Sequence, residues 1–390
     1  MKYIPRSLET ELARAVKSFP AIILTGPRRS GKTTLLRKCF PKVSYTLIED
    51  PDIIAQIKHD PRAFLEGVTT PAIFDEIQNV PHILNYVRTM IDQSPKKCGQ
   101  WFLTGSQESS LMKGVSESMA GRAAVFQLLP FSKSETPKVS ILQGGFPEVI
   151  EKPKTADLWF RSYLQTYLER DVRAISAIKD LSTFRRFLSI LASRNGQILN
   201  RTDLTAPLGV SIPTITQWLS ILEMTSQIIL IPPFFENFGK RLVKSPKLYF
   251  VDSGLLCYLL GIESPKALTR SPFYGFIFEG FVASEILKSQ LACGERKELY
   301  YFRDQQGQEV DFLVPMGDNH LILLEVKASK TINTSMTLSL ERLKKSIRKY
   351  STDAFLVHLP LQQGRIPSAI TPGIKAISSD EVSKIIRDRG

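Results

Sequence analysis

The chain has 390 residues, 43% of them apolar and 23% charged, with a formal net charge of +13 and a pI near 9.5. This length predicts two or three domains, and no apolar run approaches the roughly 20 residues of a membrane-spanning helix, so we expect no membrane partner. The basic excess is compatible with a nucleic-acid partner, because basic side chains displace counterions from phosphates, and equally with an ordinary basic protein.

The cysteines and histidines are scattered along the chain. Cys39, Cys98, Cys257 and Cys293 form no Cys-x-x-Cys pair, which argues against a disulfide framework or a zinc site. The first residues lack the apolar core of a secretory signal. We therefore expect a cytoplasmic protein.

Residues 1–130 alternate short apolar strands with helical patterns. The predicted strands are Ala21–Thr25, Pro71–Asp75 and Trp101–Thr104, and the predicted helices are Lys32–Cys39 and Pro81–Asp92. This alternation is typical of a mostly parallel sheet with helices on its faces. Residues 131–180 follow as a helical lid or linker, with an apolar helix predicted from Ala156 to Ile178.

Residues 181–260 have the outline of a helix-turn-helix. One helix contains Phe184 to Leu191, a second contains Leu204 to Leu208, and a third begins after Ser211, a typical N-cap residue. The strands Ile228–Ile231 and Lys247–Val251 would form a wing, and an unrelated helical bundle is the alternative. In the winged-helix interpretation the side chains that would face DNA are Thr214, Thr216 and Gln217.

Residues 261–390 return to an α/β pattern. A helix is predicted from Ile277 to Gln290, followed by strands at Leu299–Phe302, Glu309–Val314 and Leu321–Val326, a helix from Met336 to Lys349 and a strand at Ala354–Val357. The second predicted helix carries a basic cluster made of Arg342, Lys344, Lys345, Arg348 and Lys349.

The turn between the first strand and the first helix has the composition of a phosphate-binding loop. Such a loop needs glycines for close backbone approach, one mobile cation and one hydroxyl. Lys32 would reach the β- and γ-phosphates of ATP, and Thr33 would bind Mg²⁺. The predicted nucleotide-binding residues are Gly26, Pro27, Arg28, Arg29, Ser30, Gly31, Lys32, Thr33 and Thr34.

Polar residues also follow the next predicted strands. Asp75 would hold Mg²⁺, and Glu76 would polarise the attacking water, because hydrolysis needs a positioned base near the γ-phosphate. Ser106 after the third strand would sense that phosphate. Arg122 would reach the nucleotide of a neighbouring subunit, and an ordinary ion pair is the alternative for this arginine.

These motifs resemble those of the AAA-type ATPases whose C-terminal half is a domain of unknown function, DUF4143. The motifs are Gly-Pro-Arg-x-x-Gly-Lys-Thr, Phe-Asp-Glu-Ile-Gln, Leu-Thr-Gly-Ser, Ala-Gly-Arg, Gly-Gly-Phe-Pro-Glu and Tyr163-x-x-x-Tyr167-x-x-Arg170-Asp171. Arg29 stands where relatives usually carry glutamine. The resemblance implies an AAA+ fold with nucleotide at a subunit interface and assembly into a homo-oligomeric ring such as a hexamer. It also implies a second nucleotide-sensing arginine, Arg161 or Arg170.

Carboxylates and a lysine recur in the C-terminal strands. Asp311 lies in one strand and Glu325-Val326-Lys327 in the next, so a hairpin would bring them together, and Glu279 on the preceding helix could join them. Carboxylates bind divalent cations, and a lysine can orient or activate water. The order is similar to the core of the PD-(D/E)xK nucleases, with Glu279, Asp311 and Glu325 as metal ligands and Lys327 as the nuclease-like lysine. By strand alternation we expect Glu309, which flanks the same strand, to face away from Asp311.

The resulting fold prediction is an α/β chain of four parts. These are an AAA+ P-loop parallel-sheet domain (1–130), a helical lid (131–180), a winged helix (181–260) and a restriction-endonuclease-like α/β domain (261–390). The predicted function is ATP hydrolysis with Mg²⁺ by a ring motor that translocates along DNA, unwinds it as a helicase or migrates branches. One alternative is an ATP-gated, Mg²⁺-dependent DNA nuclease in defence or repair. Another is an ATP-binding signalling switch with no DNA role.

Overall fold

The computed structural model describes residues 3–106, 119–168, 181–234, 244–317, 319–347, 349–360 and 369–387. The chain divides into two compact units. Unit 1 consists of Met1–Phe131, Met224–Ser226 and Leu291–Glu295, and unit 2 consists of Ser132–Glu223, Gln227–Gln290 and Arg296–Gly390.

Unit 1 alternates strands and helices along the chain. Its strands are β1 (Ala21–Thr25), β2 (Ser44–Leu47), β3 (Ala72–Asp75), β4 (Trp101–Gly105) and β5 (Ala123–Gln127). Its helices are α1 (Glu9–Ala15), α2 (Lys32–Cys39), α3 (Pro51–His59), α4 (Pro61–Glu66) and α5 (Ile83–Gln93). The bounds of β1 and α2 are those predicted from the sequence, whereas β2, α1, α3 and α4 were not predicted.

The strands of unit 1 form a parallel sheet in the order β2-β3-β4-β1-β5. Strand β1 lies between β4 and β5, with Thr25 level with Gly105 on one side and Gln127 on the other. All residues of β1 are buried, because apolar clusters cover both faces of the sheet. The predicted parallel α/β sheet is confirmed, and the carboxyl ends of β1, β3 and β4 meet at one edge.

The first part of unit 2 is mainly helical. Its elements are α6 (Pro147–Glu151), α7 (Ala156–Tyr163), a π-helical turn (Leu164–Leu168), α8 (Leu181–Ser193), α9 (Thr202–Leu208), α10 (Ile212–Met224), β6 (Ile228–Ile231) and β7 (Lys247–Phe250). The rings of Phe184 and Phe187 on α8 pack against Trp218 on α10, with centroid distances of 5.4 and 5.1 Å. Strands β6 and β7 are antiparallel. Of the helix predicted to reach Ile178, residues 169–180 lie outside the described residues, and Arg170 with them.

The second part of unit 2 surrounds a mixed sheet. Its helices are α11 (Ser253–Leu259), α12 (Pro265–Arg270), α13 (Tyr274–Ala292), α14 (Leu338–Ser346) and α15 (Val382–Arg387). Its strands are β8 (Tyr300–Arg303), β9 (Glu309–Pro315), β10 (His320–Lys327), β11 (Ser351–His358), β12 (Ala369–Thr371) and β13 (Ile374–Ser378), in the order β12-β13-β11-β10-β9-β8. Strands β8, β9 and β10 are antiparallel neighbours, whereas β10, β11 and β13 run parallel.

The helix predicted from Met336 to Lys349 is shorter than expected. Thr334–Thr337 is a 3-10 turn, and α14 ends at Ser346. The next residue, Ile347, takes an extended backbone with ψ of 108° and is buried in the core beside the sheet. Burial of this side chain therefore outweighs continuation of the helix. Lys349 lies beyond the helix, and Arg348 lies outside the described residues.

Within the described ranges, no helix has both the length and the apolar character that crossing a bilayer would require.

Candidate functional site

The loop between β1 and α2 is shaped by residues with left-handed backbone. Gly26 has φ of 138°, and a Cβ atom there would lie 2.1 Å from the carbonyl oxygen of Leu128. Gly31, the N-cap of α2, has φ of 96°, and Arg29 has φ of 62°. A side chain at Gly26 would collide with backbone, so glycine is required for the loop to lie this close to the end of β5.

A buried arginine supports the loop from the N-terminal segment. Arg6 is 7% exposed and donates hydrogen bonds to the carbonyl oxygens of Ser30 (2.9 Å) and Leu129 (2.6 Å). Its guanidinium also lies 4.3 Å from the ring centroid of Phe131. Sequence reasoning missed Arg6, because its partners lie 24 and 123 residues further along the chain and no local pattern marks it.

The lysine and hydroxyls at the start of α2 are positioned by the loop. Lys32 is buried, and its Nζ donates to the carbonyl oxygens of Gly26 (2.9 Å) and Pro27 (3.0 Å). The hydroxyl of Thr33 donates to Oδ2 of Asp75 at 2.6 Å. Thr34 follows on the first turn of α2 and is exposed. The structure thus places Lys32 against the loop backbone and Thr33 against Asp75, and their roles towards nucleotide and Mg²⁺ stay predictions.

Asp75 ends β3 and is the centre of a hydroxyl network. It is 4% exposed and accepts hydrogen bonds from Thr33, from Thr104 of β4 and from Tyr45 of β2, the last at 2.9 Å. Burial and the adjacent Asp75 raise the pKa of Tyr45 above its usual range, so the phenol remains a donor. A hydroxyl in contact with a carboxylate is the oxygen donor set that suits Mg²⁺. Tyr45 was missed because β2 was not predicted.

Glu76 follows directly and lies beside cationic side chains. Its backbone is left-handed, with φ of 61°, and its side chain accepts a hydrogen bond from Gln78. Gln78 also donates to the hydroxyl of Ser106 at 3.2 Å. Burial disfavours the charged form of Glu76, but the cations Lys32 and Arg28 outweigh burial and hold its pKa below the usual range. Glu76 is therefore an ionised carboxylate at neutral pH, joined to Ser106 through Gln78.

Arg122 has a partner within the chain. Its Nε and Nη2 atoms bond both carboxylate oxygens of Asp92, at 2.6 and 3.0 Å, and the side chain is 35% exposed. This bidentate contact is the intrachain ion pair that was the alternative interpretation of Arg122. A role towards a neighbouring subunit stays a prediction.

The C-terminal polar residues converge in unit 2. Glu279 lies on α13, Asp311 on β9, and Glu325 and Lys327 on β10, and all three carboxylates are buried. The backbone N–H of Val326 donates to Asp311 at 2.8 Å, and Lys327 donates to Glu325 at 2.6 Å. The antiparallel pairing of β9 with β10 is the hairpin that the sequence predicted.

A further lysine, which sequence reasoning did not connect with this cluster, lies among these carboxylates. The Nζ atom of Lys247 lies 2.9 Å from Glu279, 2.5 Å from Glu309 and 3.9 Å from Asp311. The expectation that Glu309 faces away from Asp311 was wrong, because residues two apart on a strand share a face. Tyr249 also donates to Glu279.

Burial changes the acidity of the cluster. Burial, with the charge of Asp311 adding to it, raises the pKa of Glu279 to about 7 and that of Glu325 to about 8. Burial disfavours the charge of Lys247, but the surrounding carboxylates outweigh it and raise its pKa above the usual range. Among the residues that the structure describes, no group of three or more His, Cys, Asp or Glu side chains is arranged to hold a metal ion.

The residues predicted to face DNA lie on the first turns of α10. Thr216 and Gln217 are exposed, whereas the hydroxyl of Thr214 lies 2.9 Å from that of Ser211. The backbone N–H of Thr214 donates to the Ser211 hydroxyl at 3.4 Å, which is the predicted N-cap. The side chain of Thr214 is thus engaged at the start of the helix.

Comparison with known families divides the chain into consecutive segments. An AAA domain matches residues 18–136, a domain of unknown function (DUF8612) matches 135–266, and a domain of unknown function (DUF4143) matches 274–372. The DUF8612 match spans both the predicted lid and the predicted winged helix.

Relatives and solved structures also resemble the chain. It is 32% identical over 342 residues to the uncharacterized protein Rv2008c of Mycobacterium tuberculosis, covering 85% of this chain and 76% of that protein. It is 25% identical over 337 residues to the uncharacterized protein MJ1544 of Methanocaldococcus jannaschii, with 76% and 72% covered. The Walker-type ATPase PABY2304 of Pyrococcus abyssi shares 15% identity with a TM-score of 0.45, over 66% of this chain and 96% of that one. With its AAA domain followed by DUF4143, the chain belongs to the family of AAA+ ATPases that carry a C-terminal DUF4143 domain.

Proposed function

We propose that this protein hydrolyses ATP and uses the energy to act on DNA as a homo-oligomeric ring motor. The observation that carries the proposal is the meeting of Lys32, Thr33, Asp75 and Glu76 at the carboxyl edge of one parallel sheet. A cation, a hydroxyl–carboxylate pair and an ionised base at one edge are the parts that phosphoryl transfer to water requires.

Each residue has a distinct part in the hydrolysis. Lys32 would bind the β- and γ-phosphates, and the N–H groups at the start of α2 would donate to phosphate oxygens. Thr33 and Asp75 would hold Mg²⁺, which neutralises phosphate charge when bound. Glu76 accepts the proton of the attacking water, and Ser106 fixes that water near the γ-phosphate. Arg122 of a neighbouring subunit would stabilise the charge of the transition state.

The DNA half of the proposal rests on charge and on one helical region. The chain carries a net charge of +13, which favours polyanions. Helices α8, α9 and α10, followed by the antiparallel β6 and β7, have the order of a winged helix, and α10 presents Thr216 and Gln217 on its exposed side. In this arrangement α10 would enter the major groove.

A nuclease is the second candidate. It is favoured by the proximity of Asp311 to β10 and by the contact between Glu325 and Lys327. The buried ammonium of Lys247 weighs against it, because its Nζ atom lies 2.9 Å from Glu279 and 3.9 Å from Asp311, two of the three expected metal ligands.

ATPase assays with different DNAs test these functions. The rate should rise with single-stranded, duplex or four-way-junction DNA, fall to background in Lys32→Ala, and be lost in Glu76→Gln with nucleotide binding retained. Thr216→Ala with Gln217→Ala should weaken DNA binding, and Ser189→Ala, an exposed hydroxyl on α8, is the matched control.

The same preparation distinguishes the alternatives. If no DNA changes the ATPase rate and no DNA binds, the DNA-motor hypothesis is refuted, and the signalling-switch hypothesis is the one that agrees with the data. Mg²⁺- or Mn²⁺-dependent cleavage that is lost in Asp311→Ala and retained in Lys32→Ala would establish the nuclease instead. Normal hydrolysis by Glu76→Gln would contradict its role as the base.

A further inference from the structure

Unit 2 contains a lysine whose charged end is enclosed by carboxylates. The side chain of Lys247 is 3% exposed, and its Nζ atom lies within 2.5 to 3.9 Å of oxygens from Glu279, Glu309 and Asp311. These carboxylates come from α13 and β9, whereas Lys247 is the first residue of β7. The lysine therefore joins separate elements at one buried point.

The backbone fixes the position of this lysine. Lys247 pairs with Ile231 in the β6–β7 ladder and forms a further bridge with Ile198. Its residue as a whole is 2% exposed. Because Ile231 is buried and Ile198 is partly buried against the same core, the ammonium enters the cluster from a paired strand and not from an exposed side chain.

The three carboxylates around Lys247, namely Glu279, Glu309 and Asp311, each have a further donor or cation. Tyr249 donates to the same Glu279 oxygen that Lys247 contacts, Arg303 lies 3.1 Å from Glu309, and the N–H of Val326 donates to Asp311. Buried carboxylates require compensating charge and hydrogen bonds, and these donors supply both. A divalent ion would need several of these oxygens at about 2.0–2.6 Å. The Nζ atom of Lys247 already occupies the space between the Glu279 and Glu309 oxygens, at 2.9 and 2.5 Å.

We propose that Lys247 is the resident cation of this cluster and takes the place of a divalent metal ion. The C-terminal α/β domain then neither binds Mg²⁺ or Mn²⁺ nor performs metal-dependent cleavage, and it contributes binding or scaffolding to the protein. This inference concerns unit 2 only and holds whether or not the protein moves along DNA.

Mn²⁺ binding to the full-length protein without nucleotide tests the proposal. Free Mn²⁺ is measured by electron paramagnetic resonance during titration of wild type and of Asp311→Asn, which share an unchanged P-loop. We expect equal stoichiometry in both. A Mn²⁺ ion bound by wild type and lost in Asp311→Asn would overturn the proposal, and Glu325→Gln provides the same comparison should Asp311→Asn not fold.

Removal of the lysine gives the converse result. Lys247→Met should gain a Mn²⁺ ion per chain, and Lys247→Met combined with Asp311→Asn should lose it again. Lys288→Met is the matched control, since Lys288 is also buried and pairs with Glu285 at 3.2 Å outside the cluster. A folded Lys247→Met that gains no Mn²⁺ would overturn the proposal that the lysine takes the place of a metal ion. If Lys247→Met does not fold, the comparison of Mn²⁺ binding between wild type and Asp311→Asn decides.

Discussion

Gly144 and Asp252 illustrate how a single residue position can be dictated by a distant one. Gly144 has φ of 70°, and a Cβ atom there would lie 2.1 Å from Oδ1 of Asp252. The carboxylate accepts hydrogen bonds from the N–H groups of Gly145 (2.7 Å) and Leu255 (3.0 Å). Gly144 thus leaves room for a buried carboxylate, which explains the glycine at this position, and the next residue supplies a backbone donor.

Alanine at this position should destabilise unit 2. For Gly144→Ala we expect the free energy of unfolding to fall by about 3 kcal/mol, the sum of left-handed strain and displacement of the buried Asp252 carboxylate. Gly261→Ala is the control, because Gly261 has a similar φ of 69° but open space around its Cβ position. Its free energy of unfolding should therefore fall by only about 1 kcal/mol, from left-handed strain alone. Thermal unfolding midpoints measure both, and equal shifts would contradict the steric account.

Tyr45 should act on hydrolysis through Asp75. Tyr45→Phe removes one of the hydroxyls that orient this carboxylate, at a cost of about 1 kcal/mol, so we expect kcat to fall roughly fivefold with little change in KM. Steady-state ATPase kinetics measure kcat and KM separately. Tyr86→Phe, on α5 at the edge of the core, should leave both constants unchanged. An unaltered kcat in Tyr45→Phe would remove this residue from the site.

At the scale of elements, the nucleotide loop depends on a strand, a helix and a segment that belongs to neither. The apolar run of β1 and the first turn of α2 determine where the loop begins and ends. Its position is then secured by Arg6, which joins the loop to the residues after β5. The shape of the site is thus a property of three chain segments together.

Loss of Arg6 should therefore weaken nucleotide binding without removing a phosphate contact. We expect Arg6→Ala to raise the Kd for a fluorescent ATP analogue about tenfold, since two charge-assisted hydrogen bonds are lost. Arg6→Lys should restore little, because an ammonium lacks the planar fork that reaches two carbonyls. Arg14→Ala is the control, as its side chain is 81% exposed. An unchanged Kd for the ATP analogue in Arg6→Ala would show that the loop keeps its conformation without Arg6.

At the scale of the whole molecule, the proposed ring would place Arg122 of one subunit at the ATP site of its neighbour. Arg122→Ala should lower kcat about a thousandfold if the arginine completes a neighbour's site. Asp92→Ala breaks the same intrachain ion pair but keeps the arginine, so its activity should be retained. Mixing Arg122→Ala with Lys32→Ala should restore part of the activity, because mixed rings contain intact interfaces. Equal losses in Arg122→Ala and Asp92→Ala would assign the arginine to its ion pair alone.

The sequence alone determined the elements whose signals are local. The bounds of β1 and α2, the placement of Lys32 and Thr33 on the first turn, and the carboxylates that end β3 all follow from an apolar run, a glycine turn and polar residues in consecutive positions. The C-terminal hairpin was predicted for the same reason. Periodicity and turn chemistry act over a few residues, so they can be read without the fold.

Only the tertiary structure decided which distant side chains complete the sites. Arg6 and Tyr45 around the nucleotide loop, and Lys247 among the C-terminal carboxylates, have no sequence signature that links them to their partners. Each is brought into place when sheets and helices bury polar groups that must then find donors or counter-charges. Local sequence motifs therefore indicated which residues form the candidate sites, and tertiary packing decided which distant side chains hold those residues in place.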